Sequence, residues 1–266
     1  MILPLPLAAQ SLAFTFSPPA KWHDDLLEMG FLVRGQLGLA LAKGCCFYDA
    51  HCTHCDDCDK RAHCHYGQSF KTPQNIQCHS TIKTGCVPHL WALQIDRLGL
   101  QWHARLNLVG MEIAHINSWR AAITSMPFKT TIQESEWFDM PFSYIWHGVT
   151  PARLKFKGKT PKDELEACKA LTTSIVSKSK MLAAMHGLSM PTDFLPEPAC
   201  LNASWEKAQR FHHSSQKQQS MSGWLLDIAW AQDTPESWKP WLNLALFLGV
   251  GKQTSFAMGR FMVDRK

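Results

Sequence analysis

Twice along this chain the same order of patterns recurs, and that doubling restricts its fold more than any other feature. Leu12, Phe14 and Phe16 alternate with Ala13, Thr15 and Ser17, the two-residue period of a strand with one buried face, closed by Pro18-Pro19. From Asp25 to Lys43, apolar residues at helical spacing (Leu27, Phe31, Leu32, Gly35, Leu39, Ala42) predict a helix that stops at Gly44. Residues 90–96 and 100–109 read as a hairpin around Arg97-Leu98-Gly99, residues 111–124 as a helix and 130–138 as a strand. The second half repeats this order. Residues 144–157 form a strand pair or one strand bent at Pro151. Residues 161–186 form a long helix with Thr160 as N-cap and Gly187 as C-cap. Beyond Pro191, Pro196 and Pro198 come strands at 204–213 and 221–230, a helix at 236–248 and a last strand at 257–263. Two βαββαβ units in tandem make an α+β protein of two ferredoxin-like domains, over residues 1–140 and 141–266. The repeat lies in element order and not in residue identity.

A length of 266 residues suits two ordinary domains or one large one, and 45% apolar against 18% charged residues excludes a disordered chain. The apolar start, residues 1–16, lacks a basic leader and is broken by Pro4 and Pro6, so it reads as a first strand. No run of about 18 uninterrupted apolar residues is present. A cytoplasmic protein without a membrane partner is therefore expected. The net charge of +5 is unevenly placed. Residues 1–150 hold 11 Lys/Arg against 12 Asp/Glu, whereas residues 151–266 hold 16 against 10. Arg153, Lys155, Lys157, Lys159 and Lys162 fall at near-alternate positions, which on a strand would stack cations along one face and suit a polyanion. A solvated edge protected by lysines gives the same pattern.

In that basic half, Gly249-Val250-Gly251-Lys252-Gln253-Thr254-Ser255 follows an apolar helix and leads through Gly259-Arg260 into the last strand. Glycines reach positive φ at little cost and let backbone N–H groups converge on an anion, with Lys252 as a point charge and Thr254 or Ser255 as donors. A plain helix-to-strand turn fits the local pattern equally. A nucleoside-triphosphate loop does not, because that motif needs Gly and Ser or Thr where Leu246 and Gln253 stand.

Ten cysteines are present, and Cys52-x2-Cys55-x2-Cys58-x5-Cys64 places four thiols within 13 residues among His51, His54, His63 and His65. With no export signal, reduced thiolates on a metal are expected over disulfides. Cys52, Cys55, Cys58 and Cys64 can close a tetrahedral structural zinc site that orders the polar insert at about 44–88. An iron–sulfur cluster is the alternative, and Cys45 and Cys46 just upstream are further donors.

Four stretches together carry a resemblance. Leu32-Val33-Arg34-Gly35-Gln36-Leu37-Gly38 is like an "LRGxLG" helix start, and Cys55-x2-Cys58-x5-Cys64-His65-Tyr66 with Phe70 is like a "CxxCxxxxxCxY…F" insert. Thr150-Pro151-Ala152-Arg153-Leu154-Lys155 is like a "TPxRLK" domain opening, and the glycine segment is like a terminal "GxGKxTxxGxG" whose last glycine is replaced by Phe261. In this order they resemble the CRISPR repeat-RNA-processing endoribonucleases of the RAMP superfamily. The resemblance implies two ferredoxin-like domains and binding of a CRISPR repeat RNA, with other CRISPR effector subunits as further partners. It also implies metal-independent cleavage, in which the ribose 2′-OH attacks the adjacent phosphorus and leaves a 2′,3′-cyclic phosphate and a 5′-hydroxyl.

Such chemistry needs a base for the 2′-proton, an acid for the leaving oxygen and cations for the phosphorane. The family's catalytic groups lie beside the first helix. There His23 is the side chain that titrates near neutrality, and Arg34 and Lys43 could neutralise phosphate charge. Gly249, Gly251, Lys252, Thr254, Ser255, Arg260, Arg153, Lys155, Lys157 and His213 are the candidate RNA contacts. The competing reading is a non-catalytic RAMP subunit that scaffolds guide RNA. A third, an iron–sulfur redox protein, leaves the last two motifs unexplained.

Overall fold

The computed structural model describes residues 6–18, 25–46, 55, 58–60, 63–70, 88–136, 142–207, 209–212 and 217–264. Two compact units divide the chain. One comprises Leu7–Trp137 with Ala184–His186, the other Met1–Pro6, Phe138–Ala183 and Gly187–Lys266.

The first unit is built on β1 (Ala9–Ser17), α1 (Leu26–Cys45), α2 (His65–Phe70), β2 (Trp91–Leu98), β3 (Gln101–Val109), α3 (Ile116–Thr124) and β4 (Lys129–Glu136). A 3-10 turn, Gly110–His115, leads into α3. The antiparallel sheet runs β2-β3-β1-β4, the strand order of a ferredoxin-like fold. The period of two in β1 places Leu12, Phe14 and Phe16 at no more than 2% exposure. Ser11 faces Asn107 across the β1–β3 ladder, and their side chains share a buried hydrogen bond of 2.7 Å.

Helix α1 begins where Asp25 caps the Leu27 and Glu28 N–H groups. Of the expected stripe, Leu27 and Ala42 are buried, whereas Phe31, Leu32, Gly35 and Leu39 are not. Met29, Gly30, Val33, Leu37, Gly38 and Leu41 face inward, while Gly35 is exposed and Leu39 is 56% exposed. Apolar residues surround this helix so fully that two stripes can be drawn, and packing selects the one with small residues. A Cβ on Gly38 would stand 2.9 Å from the Phe70 ring, so α2 can approach only over glycine. Gly44 does not stop the helix, which continues to Cys45.

The second unit repeats the plan with β5 (Ile145–Gly148), α4 (Glu164–His186), β6 (Ala199–Glu206), β9 (Gly223–Ala229), α5 (Lys239–Leu248) and β10 (Phe261–Val263), in sheet order β10-β5-β9-β6. A small hairpin, β7 (Gln209–His212) with β8 (Lys217–Ser220), lies between β6 and β9. Both sheets thus share one topology, as the doubled pattern predicts. Their boundaries differ from it in several places, and the strand expected over 204–213 runs instead over Ala199–Glu206. Asp163, not Thr160, caps α4. Its carboxylate accepts from the Glu166 N–H and Glu166 reaches back to the Lys162 N–H, a reciprocal pair that a lone threonine does not match. The last strand is only Phe261–Val263, because Ala257 (φ 62°) and Gly259 (φ 67°), inside the expected 257–263, hold left-handed backbone. Strand β5 ends at Gly148. Beyond it Ala152 bridges Trp224, Arg153 bridges Lys252, and Phe156 and Lys159 close a tight turn over Lys157 (φ 48°) and Gly158 (φ 80°). The cations from 153 to 162 therefore do not stack along one strand face.

Candidate nucleic-acid interface

Twelve residues, 249–260, join α5 to β10. Gly249, Gly251, Gly259, Gln253 and Ala257 all hold φ between 62° and 85°. Two of these sites admit only glycine. A Cβ on Gly259 would run into the Val250 carbonyl, and one on Gly251 would stand 2.9 Å from the Arg153 carbonyl oxygen. Gln253 and Ala257 hold a conformation that ordinary residues avoid, so tertiary bonds must fix it.

Those bonds are numerous. The Val250 N–H donates to the Gly259 carbonyl (2.8 Å), the Gly259 N–H to Pro151 (2.9 Å) and the Lys252 N–H to Arg153 (3.0 Å). The Thr150 hydroxyl donates to the Ala257 carbonyl (2.6 Å) and accepts from the Arg260 N–H (3.0 Å). The Arg153 guanidinium donates to the Gln253 side-chain oxygen at 2.9 Å. From α4, Ser174 accepts the Gly251 N–H (3.1 Å) and Lys178 donates to the Gly249 carbonyl (2.9 Å). The segment opened by Thr150-Pro151 and the glycine loop are thus one knot, although about a hundred residues separate them.

This geometry corrects the expected use of the glycines. The N–H groups of Gly251 and Gly259 are turned inward onto protein oxygens, so they do not converge on an anion. Thr254 is 7% exposed and Ser255 is fully buried, so neither hydroxyl reaches solvent. What the knot leaves in contact with solvent is charge: Lys252 is exposed, Arg153, which bridges it, is half-buried, and so is Arg260. Lys155 is half-buried with its amine on Thr160, and Lys157 is exposed, 5.3 Å from the Phe156 ring centroid. His213 lies outside the described residues.

In the first unit, His23 and Cys52 also lie outside the described residues. Arg34 sits 4.8 Å over the Phe70 ring centroid and 5.9 Å from that of Trp91, which ties its cation to the docking of α2. Lys43 is exposed in the last turn of α1. At 1.5 Å per residue it stands about 27 Å from the helix start at Asp25, and Arg34 stands about 13 Å from it. Arg34 and Lys43 therefore stand about 13 Å apart along the axis of the helix they share.

Cys55 and Cys64 are buried and Cys58 is half-buried. Among the described residues, no group of three His, Cys, Asp or Glu side chains is placed to hold a metal ion. The thiol neighbouring Cys64 is Cys45, whose carbonyl lies 3.6 Å from the Cys64 sulfur. Burial and the nearby Cys64 and Cys46 thiols push the Cys45 pKa up to about 11, against a hydrogen bond from the Tyr66 backbone. The described donors alone do not assemble the expected ligand set.

One feature had no forewarning in the sequence. Glu112 is 6% exposed, and one of its oxygens, Oε1, accepts from His65 Nε2 (2.7 Å), Ser69 (2.7 Å) and Trp119 (2.8 Å). Burial alone would raise its pKa, but these hydrogen bonds and the His65 charge outweigh burial and hold it below the usual value. The network fastens α2 to the core, where Phe70, Trp91 and Trp119 pack ring to ring.

With this geometry in place, comparison with known proteins is informative about fold. The AF_1859_N family model, an N-terminal domain, matches residues 9–136, the span from β1 to β4. No curated protein matches the chain. Among solved structures, the Cas6 (TTHB231) product complex, of Thermus thermophilus, is similar over 96% of this chain and 98% of that one, at 14% identity and a TM-score of 0.55. A mutant of Cas6 (TTHA0078) matches over 97% and 100% at 15% identity and a TM-score of 0.53. Both likenesses span essentially the whole chain, so the tandem ferredoxin-like architecture is that of these Cas6 structures. No helix among the described residues is long and apolar enough to cross a membrane.

Proposed function

We propose that this protein is an endoribonuclease that binds CRISPR repeat RNA and processes its precursor, as the proteins it is similar to in fold are Cas6 complexes. The observation that carries the reading is the knot of the second unit. It joins two of the four resembling stretches, Thr150–Lys155 and the glycine loop, and carries the exposed Lys252 with the half-buried Arg153 and Arg260, while the Gly251 and Gly259 amides are bonded to protein oxygens. Cations so placed bind phosphate without reading sequence.

For the chemistry we assign the proton transfers to His23, with cleavage by the ribose 2′-OH and a 2′,3′-cyclic phosphate product. No metal enters this step. The insert holds a structural zinc through Cys55, Cys58 and Cys64, with Cys52 as fourth ligand. Other CRISPR effector subunits are the expected partners, as the motif resemblance implies. The deciding experiment incubates the purified protein with repeat RNA in EDTA. Cleavage that disappears when the scissile 2′-OH becomes 2′-H supports the reading. RNA held tightly but never cut would establish the scaffold alternative. His23→Ala should abolish cleavage while sparing binding, and elemental analysis should return about one zinc per chain.

A further inference from the structure

The two glycines at the head of the loop are held by a pair of side chains one helical turn apart. Ser174 and Lys178 stand at i and i+4 on α4, hence on one face. Ser174 takes the Gly251 N–H and Lys178 takes the Gly249 carbonyl. Lys178 shares a mostly apolar cavity between α4 and α5 with Ile175, Leu182, Trp241, Leu244 and Val250, to which Ser174 and Ser179 also contribute. A lysine in such a place is held against its preference for water, and burial lowers its pKa to about 8. Among the described residues, the amine donates its hydrogen bond to the loop, at the Gly249 carbonyl.

We infer that Ser174 and Lys178 are positioning residues for RNA binding: they touch no RNA themselves and set the register of the glycine loop, and through it the place of Lys252 and Arg153. The geometry is direct. The Lys252 N–H bonds to the Arg153 carbonyl, and the Arg153 side chain bonds to Gln253, so both cations hang from the segment that begins at Gly249. Without the α4 pair, Gly249 and Gly251 lose the two contacts that fix where the left-handed segment departs from α5. This inference rests on the RNA-binding reading above.

The test is a double-mutant cycle with fluorescein-labelled CRISPR repeat RNA, combined with thermal unfolding of each variant. Lys178→Met keeps the apolar stem and removes only the amine. It should weaken RNA binding about fivefold, the size expected for loss of one hydrogen-bonded contact, while Tm stays level or rises because a buried cation is gone. In a Lys252→Ala background, Lys178→Met should weaken binding by clearly less than it does alone, since only the Arg153 share of the effect is left. Ser174→Ala should show the same coupling with a smaller loss. Additive losses for Lys178→Met and Lys252→Ala would overturn the inference, as would a fall in Tm that accounts for the lost affinity. So would unchanged affinity in Lys178→Met when Lys252→Ala binds weakly. If Lys252→Ala itself leaves affinity unchanged at several salt concentrations, the RNA grip is refuted and the positioning role with it.

Discussion

The two units make the same connection in very different ways. In the first, four residues, Ser125 to Phe128, carry the chain from α3 to β4. In the second, twelve residues do the same job between α5 and β10, with five of them in left-handed backbone. Topology requires only the short version. The long one is held by bonds to Pro151, Arg153, Thr150, Ser174 and Lys178, all outside the loop, and strained backbone so heavily braced is the mark of a functional site. The first unit is elaborated elsewhere, at Glu112, where a buried carboxylate fastens an insert helix. One copy of the fold has added a braced loop that carries cations and the other an internal clamp.

The largest effect that would break this comparison is at the clamp. Glu112→Ala should destabilise the first unit by about 3–5 kcal/mol, because three buried donors lose their acceptor. Urea unfolding measures it, and a loss below about 1 kcal/mol would show that the clamp is dispensable. The clamp also predicts pH dependence. A carboxylate with a lowered folded pKa adds stability that is present above its unfolded value, about 4.3, and is lost as pH falls through the folded value. Glu112→Gln should flatten that acid limb.

Next in size is Gly259→Ala, which combines positive φ with a clash against the Val250 carbonyl and should cost about 3 kcal/mol. Gly158→Ala is its control: φ is 80° there, but nothing lies within 4 Å, so about 1 kcal/mol is expected. Equal effects at the two glycines would mean that the loop is no more constrained than an ordinary turn. Thr150→Val should cost about 1–2 kcal/mol by orphaning the Ala257 carbonyl and the Arg260 N–H. The smallest change in stability, close to none, belongs to Lys252→Ala, whose effect appears in RNA binding. Its salt dependence should become shallower by about one phosphate contact.

Much of this was legible in the order of residues. The alternation in β1, the helical spacing after Asp25 and the left-handed Gly187 ending α4 are local signals, and they fix the βαββαβ order because each concerns neighbours in sequence. The glycine loop was legible as a special backbone. Its use was not, since whether an N–H faces an anion or the protein depends on Pro151, Arg153 and Ser174, and those partners arrive from remote parts of the chain. The buried stripe of α1 was ambiguous for the same reason: a helix apolar on most sides leaves the choice to whatever packs on it, and here α2 required Gly38. Arg34 and Lys43 looked like companions because they share a helix, yet helical rise holds them apart.

What the sequence by itself determined is the doubled element order, the charge imbalance between halves and the glycines that permit a left-handed loop. Each follows from period, composition or the absence of a Cβ, which are properties of single residues and their neighbours. Only the tertiary structure decided that the loop's amides are spent on the protein, that Lys178 is buried beneath them and that Glu112 clamps the insert. Those outcomes depend on burial and on long-range pairing, which raise or lower the cost of a charge according to what surrounds it.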